Sequence, residues 1–111
     1  MDYTQLGRSG LRVSRLCLGT LNFGPEVNEA GSFAIMDKAL EAGITFFDTA
    51  NVYGWEAGKG ATETIVGRWL AQEEGRRERI VLASKVYMAT GAGPNDGDCR
   101  RIIYAGNVKK H

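Results

Sequence analysis

Ile44-Thr45-Phe46-Phe47-Asp48-Thr49-Ala50-Asn51-Val52-Tyr53-Gly54 is the stretch on which the fold turns. Its first four residues are β-branched or aromatic, the composition of a short buried strand. The run then meets an acid, Asp48, and small turn-forming residues. A glycine-rich loop from Asn51 to Gly60 follows. Upstream, Phe33, Met36 and Leu40, backed by Ile35 and Ala39, recur at spacings of three and four, which predicts a helix from Glu29 to Ala42. Asn28 is placed to cap its start and Gly43 to end it.

Downstream, Thr62 is a candidate cap for a second helix, from Glu63 to about Glu74, stopped by Gly75. Its buried stripe is Ile65, Val66, Trp69 and Leu70. Ile80 to Ser84 is the next strand, and Lys85 closes it. Before the first helix, Leu16-Cys17-Leu18 reads as a strand buried on both faces that ends in Gly19-Thr20, with Cys17 as a buried thiol. Tyr3 to Leu6 and Leu11 to Val13 form a hairpin about the turn Gly7-Arg8-Ser9-Gly10.

Hairpin, strand, helix, strand, helix, strand is the order of an α/β protein built from parallel βαβ units. A doubly wound sheet and a piece of a (β/α)-barrel both fit it. A complete eight-fold barrel needs about 250 residues. This chain has 111 and so supplies at most its first three βα units. Neither GxGxxG nor GxxxxGK[ST] occurs, which disfavours a doubly wound dinucleotide site. From Tyr87 the pattern gives way to loop, and residues 96–111 form a divergent tail.

Composition narrows the function classes. With 14 Lys and Arg against 13 Asp and Glu, the chain has no field to draw nucleic acid or an anionic membrane. Arg76-Arg77-Glu78-Arg79 reads as a solvated helix end. No apolar stretch approaches the roughly 20 residues of a membrane span. Two cysteines without a Cys/His cluster give no metal site and fit a reducing cytoplasm.

The chemistry lies at the downstream strand ends, the usual site of parallel βα folds. Adjacent strands would bring Asp48 and Lys85 to within about 5 Å of each other. Paired there, each stabilises the other's charged form, and the cation helps Tyr53 share its phenolic proton. Such a phenol can protonate a carbonyl oxygen as hydride reaches the carbon. Asp48 could equally cap the turn that follows it, and Lys85 could mark a solvated strand end. Gly19-Thr20 could let a flat ring approach the backbone or could be a tight turn. Trp55, beside Tyr53, is placed to line a substrate pocket, whereas Trp69 belongs to the core stripe.

These residues resemble the N-terminal third of an aldo-keto reductase. The matching segments are Leu6-Gly7-Arg8-Ser9-Gly10-Leu11-Arg12-Val13-Ser14, Leu18-Gly19-Thr20, Gly43 to Gly54, Glu63-Thr64-Ile65-Val66-Gly67 and Val81-Leu82-Ala83-Ser84-Lys85. The resemblance runs over residues 3–95 and is closest to bacterial members related to potassium-channel β subunits. It implies a (β/α)8 TIM barrel fronted by a hairpin, with residues 1–95 as the N-terminal part of that domain. It implies reduction of aldehydes or ketones with NADP(H), without metal. Tyr53 matches the general acid, Lys85 the lysine that tunes it, and Asp48 the aspartate paired with that lysine. Gly19, Thr20 and Asp48 match positions at the nicotinamide end of the cofactor, and Trp55 a loop that shapes the substrate site. The family's catalytic histidine, after its fourth strand, has no counterpart here; His111 follows Val108-Lys109-Lys110 and does not match it. The alternative function is an inactive barrel fragment or interaction module that self-associates through an open sheet edge.

Overall fold

The computed structural model describes residues 1–54 and 57–85. Trp55, the loop from Tyr87 and the tail 96–111 lie outside the described residues. The architecture is α/β: a two-stranded antiparallel hairpin and a separate three-stranded parallel sheet with two helices.

The hairpin pairs β1 (Tyr3–Gln5) with β2 (Arg12–Ser14), in the register Tyr3↔Ser14, Thr4↔Val13 and Gln5↔Arg12. Gly7 and Gly10 take φ of 57° and 83° in its turn, where a side chain would be strained. The hairpin docks at the entering end of the parallel sheet. The Ser14 hydroxyl accepts from the Thr45 amide at 3.0 Å, and the Tyr3 hydroxyl donates to the Gly43 carbonyl at 2.9 Å.

The parallel sheet runs β3 (Cys17–Gly19), β4 (Phe46–Asp48), β5 (Val81–Ala83), with β4 central. Gly19, Asp48 and Ala83 stand in register at its downstream edge. Helix α1 (Glu29–Glu41) connects β3 to β4, and α2 (Ala61–Ala71) connects β4 to β5. Asn28 caps α1 as expected, its side chain accepting from the Gly31 amide at 2.8 Å. Both helices cover one face of the sheet. Phe47 of β4 and Ile80, the residue before β5, meet Met36 and Leu40 of α1 and Ile65, Val66 and Trp69 of α2. Fully burying such side chains contributes about 1.5–3 kcal/mol each.

Five sequence expectations are corrected. Thr62 does not cap α2. Gly60 holds the N-cap in the left-handed region at φ 88°, and the helix is already wound at Ala61, so the buried Thr62 hydroxyl donates to the Phe23 carbonyl at 2.7 Å. The helix ends at Ala71 rather than near Glu74, tightened by the Gln72 amide bonding the Trp69 carbonyl. Ile35 is exposed, because Ser32, Met36, Ala39 and Leu40 form the inward stripe and Ile35 falls beside it.

The first parallel strand is Cys17–Gly19 rather than Leu16–Leu18, and it is not buried on both faces. Leu18 turns to the helices, while Cys17 faces the opposite side and is an exposed free thiol. Arg76 is not solvated. Only 8% of it is accessible. Its guanidinium lies over the Trp69 ring, 4.4 Å from the centroid, and donates to the Trp69 carbonyl at 2.7 Å. A planar cation can stack on indole while its fork satisfies the end of a helix, which a solvated reading overlooks.

Candidate active site

The downstream edge of the sheet gathers the three side chains that the sequence singles out. Lys85 lies two residues beyond Ala83, the register partner of Asp48, and reaches back over the edge. Its ammonium donates to Asp48 Oδ2 at 2.7 Å, to the Thr49 carbonyl at 3.1 Å and to the Tyr53 hydroxyl at 3.2 Å. All three donor positions of the ammonium are therefore used. The distances decide between the two readings of Asp48: its carboxylate holds Lys85. The strand-end lysine is likewise engaged on two sides, although its side chain keeps 46% of its accessibility.

The backbone explains this convergence. The β4–β5 ladder continues past the regular strands: the Thr49 amide bonds the Ala83 carbonyl at 2.8 Å and the Asn51 amide bonds the Lys85 carbonyl at 3.2 Å. Residues 48 to 51 thus run alongside residues 83 to 85. The chain then turns, with the Tyr53 amide on the Ala50 carbonyl, and Tyr53 folds back over the edge. Gly54 completes the turn at φ 146°. A Cβ there would overlap the Gly58 carbonyl oxygen, so the loop closes only around glycine.

Burial alone would lower the Lys85 pKa. Its hydrogen bonds with Asp48 and Tyr53, and the charge on Asp48, overcome that and hold the ammonium above the ordinary lysine value. The site therefore keeps a fixed positive charge beside a phenol oxygen. Cys17 feels the same group: burial, then the Asp48 charge, raise its pKa, while Lys85 pulls against them.

Gly19 and Thr20 differ from each other. Gly19 is exposed beside Asp48, and a Cβ on it would meet open space. Thr20 is fully buried, and both its amide and its hydroxyl donate to the Asp48 carbonyl, at 3.1 and 2.9 Å. It ties the β3 end to the acid's own residue. Trp55 lies outside the described residues.

Sequence reasoning missed two participants. The Thr49 carbonyl is a backbone group with no sequence signal. Glu63 accepts a hydrogen bond from Ser84, the residue before Lys85, at 2.8 Å; its position in the first turn of α2 was a usable sign, its partner was not.

The chain is similar in sequence to several known proteins. The chain is 61% identical over 97 residues to the uncharacterized oxidoreductase YrpG of Bacillus subtilis, a match covering 87% of this chain and 29% of that protein. It is 43% identical over 89 residues to an uncharacterized 11.2 kDa protein of Pseudescherichia vulneris, covering 78% of this chain and 86% of that one. It is 38% identical over 108 residues to a probable voltage-gated potassium channel subunit beta of Oryza sativa, covering 96% of this chain and 31% of the plant protein. The chain thus spans under a third of two of these relatives and most of the third. The sequence model of the Aldo/keto reductase family matches residues 15–108, and with a parallel βα sheet carrying Asp48, Tyr53 and Lys85 at one edge, the chain belongs to the aldo/keto reductase family.

Proposed function

We propose that this chain carries the proton-transfer half of an NADP-dependent reduction of aldehydes or ketones to alcohols. The observation that supports it is the Lys85 ammonium bridging Asp48 and Tyr53. Within this reading the chain contributes the hairpin and first three βα units of a (β/α)8 barrel, residues 1–95, and residues 96–111 form a tail of different character. The open backbone at Gly19, in register with Asp48, fits the flat ring of a nicotinamide. Gly19, Thr20 and Asp48 would hold that end of the cofactor, Thr20 by fixing the strand rather than through its buried hydroxyl. The dinucleotide, when bound, supplies hydride to the carbonyl carbon.

The remaining steps belong to the chain's own residues. The Tyr53 hydroxyl donates its proton to the carbonyl oxygen as the C=O bond becomes C–OH. The electron pair left on the phenol oxygen faces the Lys85 ammonium at 3.2 Å, which stabilises the developing negative charge. Asp48 keeps that ammonium charged and in place. Solvent returns the proton to Tyr53. Trp55, two residues beyond Tyr53 in the sequence, is the proposed substrate-binding residue. The free Cys17 fits a reducing compartment, the cytoplasm in this reading; among the described residues no helix is long and apolar enough to cross a membrane.

NADPH oxidation in the presence of an aromatic aldehyde tests the proposal. Tyr53→Phe is expected to lower kcat by about 100- to 10,000-fold, the usual worth of a general acid. Turnover unchanged by that substitution would remove Tyr53 from the role.

A second, non-catalytic reading is supported by the outer strands. Among the described residues β3 and β5 each pair on one side only, and Leu16 beside β3 is 58% exposed. Unpaired edges of this kind join copies of a chain. Sedimentation velocity across a concentration series tests it: a monomer throughout would exclude self-association.

A further inference from the structure

The first turn of α2 grips both partners of the lysine–tyrosine couple. Gly60 at its N-cap has no side chain to satisfy the leading amides. The Thr62 amide is satisfied instead by the Tyr53 carbonyl at 3.2 Å. The next residue, Glu63, accepts the Ser84 hydroxyl on Oε2 at 2.8 Å. Two consecutive residues of one helical turn thus reach the segment that carries the phenol and the segment that carries the ammonium. The helix N-terminus itself favours a carboxylate at Glu63.

We propose that Glu63 is a positioning residue whose carboxylate, through the Ser84 hydroxyl, fixes where the Lys85 ammonium stands against the Tyr53 oxygen. Ser84 is joined to Lys85 by one peptide bond, so a shift at Ser84 is passed directly to the lysine's Cα. The couple is sensitive to such a shift, because one ammonium must satisfy Asp48, Thr49 and Tyr53 together. The ammonium bonds Asp48, Thr49 and Tyr53, whereas the Glu63 carboxylate is bonded to the Ser84 hydroxyl. Its influence therefore runs through the hydrogen bond and the backbone. The catalytic consequence rests on the reductase reading above; the positioning itself does not.

The test follows the Lys85 side-chain ammonium by nitrogen NMR in the free chain, with the resonance assigned by Lys85→Arg. Glu63→Ala and Ser84→Ala are each expected to move its titration midpoint down toward the ordinary lysine value. The double variant should move it no further than either single one. Glu63→Gln keeps an acceptor oxygen and should retain the native midpoint. Leu70→Ala, elsewhere on the same helix, should lower stability and leave the midpoint in place. If Glu63→Ala fails to fold, Ser84→Ala and Glu63→Gln carry the comparison, since one removes only a hydroxyl and the other only a charge.

An unmoved midpoint in Ser84→Ala overturns the proposal. So does a Glu63→Gln midpoint displaced like that of Glu63→Ala, which would mark a loss of charge, and so does an equal displacement in Leu70→Ala, which would mark general loosening. With NADPH and an aromatic aldehyde, Ser84→Ala is expected to lower kcat about tenfold at constant KM. Absence of turnover in the parent chain would count against the reductase reading and leave the titration result standing.

Discussion

The Trp69 indole lies on the Phe47 ring, with centroids 5.5 Å apart and planes inclined by 25°. Both side chains are fully buried. This stack joins α2 to the central strand at the residue immediately before Asp48. The indole also donates from Nε1 to Asp37 at 2.7 Å and supports Arg76 on its face. One side chain therefore connects both helices, the sheet and the turn before β5.

Trp69→Ala should lower the unfolding free energy by about 3–5 kcal/mol, the usual cost of emptying a large aromatic site. Since small domains have about 5–15 kcal/mol in total, the variant should unfold at low denaturant. Trp69→Phe should cost less, because the stack survives while the hydrogen bond to Asp37 is lost. Urea titration followed by circular dichroism measures both.

Gly54→Ala tests the loop that carries the phenol. The new methyl would collide with the Gly58 carbonyl and press on Ala61, at a φ that alanine resists. A left-handed non-glycine residue costs about 1–3 kcal/mol before any collision is counted. The expected outcome is lower stability and, on the proposed reductase reading, a loss of carbonyl reduction of at least about tenfold, through displacement of Tyr53. A variant with parental turnover would show that the loop does not place the phenol.

Lys85 predicts a pH dependence at the alkaline end. Its folded-state pKa is raised above the ordinary 10.5 by its hydrogen bonds with Asp48 and Tyr53, against the effect of burial. The stability it contributes is complete below that ordinary value and is lost as pH rises through the higher folded value. Because the side chain is half exposed, solvent keeps the effect modest. The stability difference between the parent and Lys85→Met should therefore be constant from pH 7 to about 10 and shrink above it, as measured by urea unfolding at each pH.

Cys17 reports on the same charges. In a Cys99→Ser background, its alkylation by iodoacetamide at pH 8 should be slower than that of an ordinary exposed thiol, because burial and then the Asp48 charge raise its pKa. Asp48→Asn should speed the reaction, and Lys85→Met should slow it further. The reverse order would place Cys17 outside the field of the pair.

What could be read from the sequence was whatever local pattern determines. Phe47 in an apolar run, Met36 and Leu40 at helical spacing, and Asn28 before its helix each found their expected place, because period and capping act over a few residues. Asp48, Tyr53 and Lys85 were legible as a set because a parallel sheet brings downstream ends together wherever its strands lie in the chain. Arg76 and Thr62 were misread because their partners, Trp69 and Phe23, are chosen by tertiary packing. Thr62 looks like a cap in isolation, yet the glycine turn before it winds the helix two residues early. Cys17 was misread for a different reason: an apolar run does not reveal that one face of its strand lacks a described covering layer.

Phe47 and Asp48 are adjacent, yet a strand turns successive residues to opposite faces, one to the helices and one to the site edge. Saturation mutagenesis of this dipeptide should therefore yield two unrelated tolerance profiles. Position 47 would rank substitutions by volume and hydrophobicity, and its losses would appear as reduced abundance of folded chain. Position 48 would rank them by charge and reach, with abundance largely preserved. A population of variants would thus separate inherited shape from inherited chemistry at a single peptide bond.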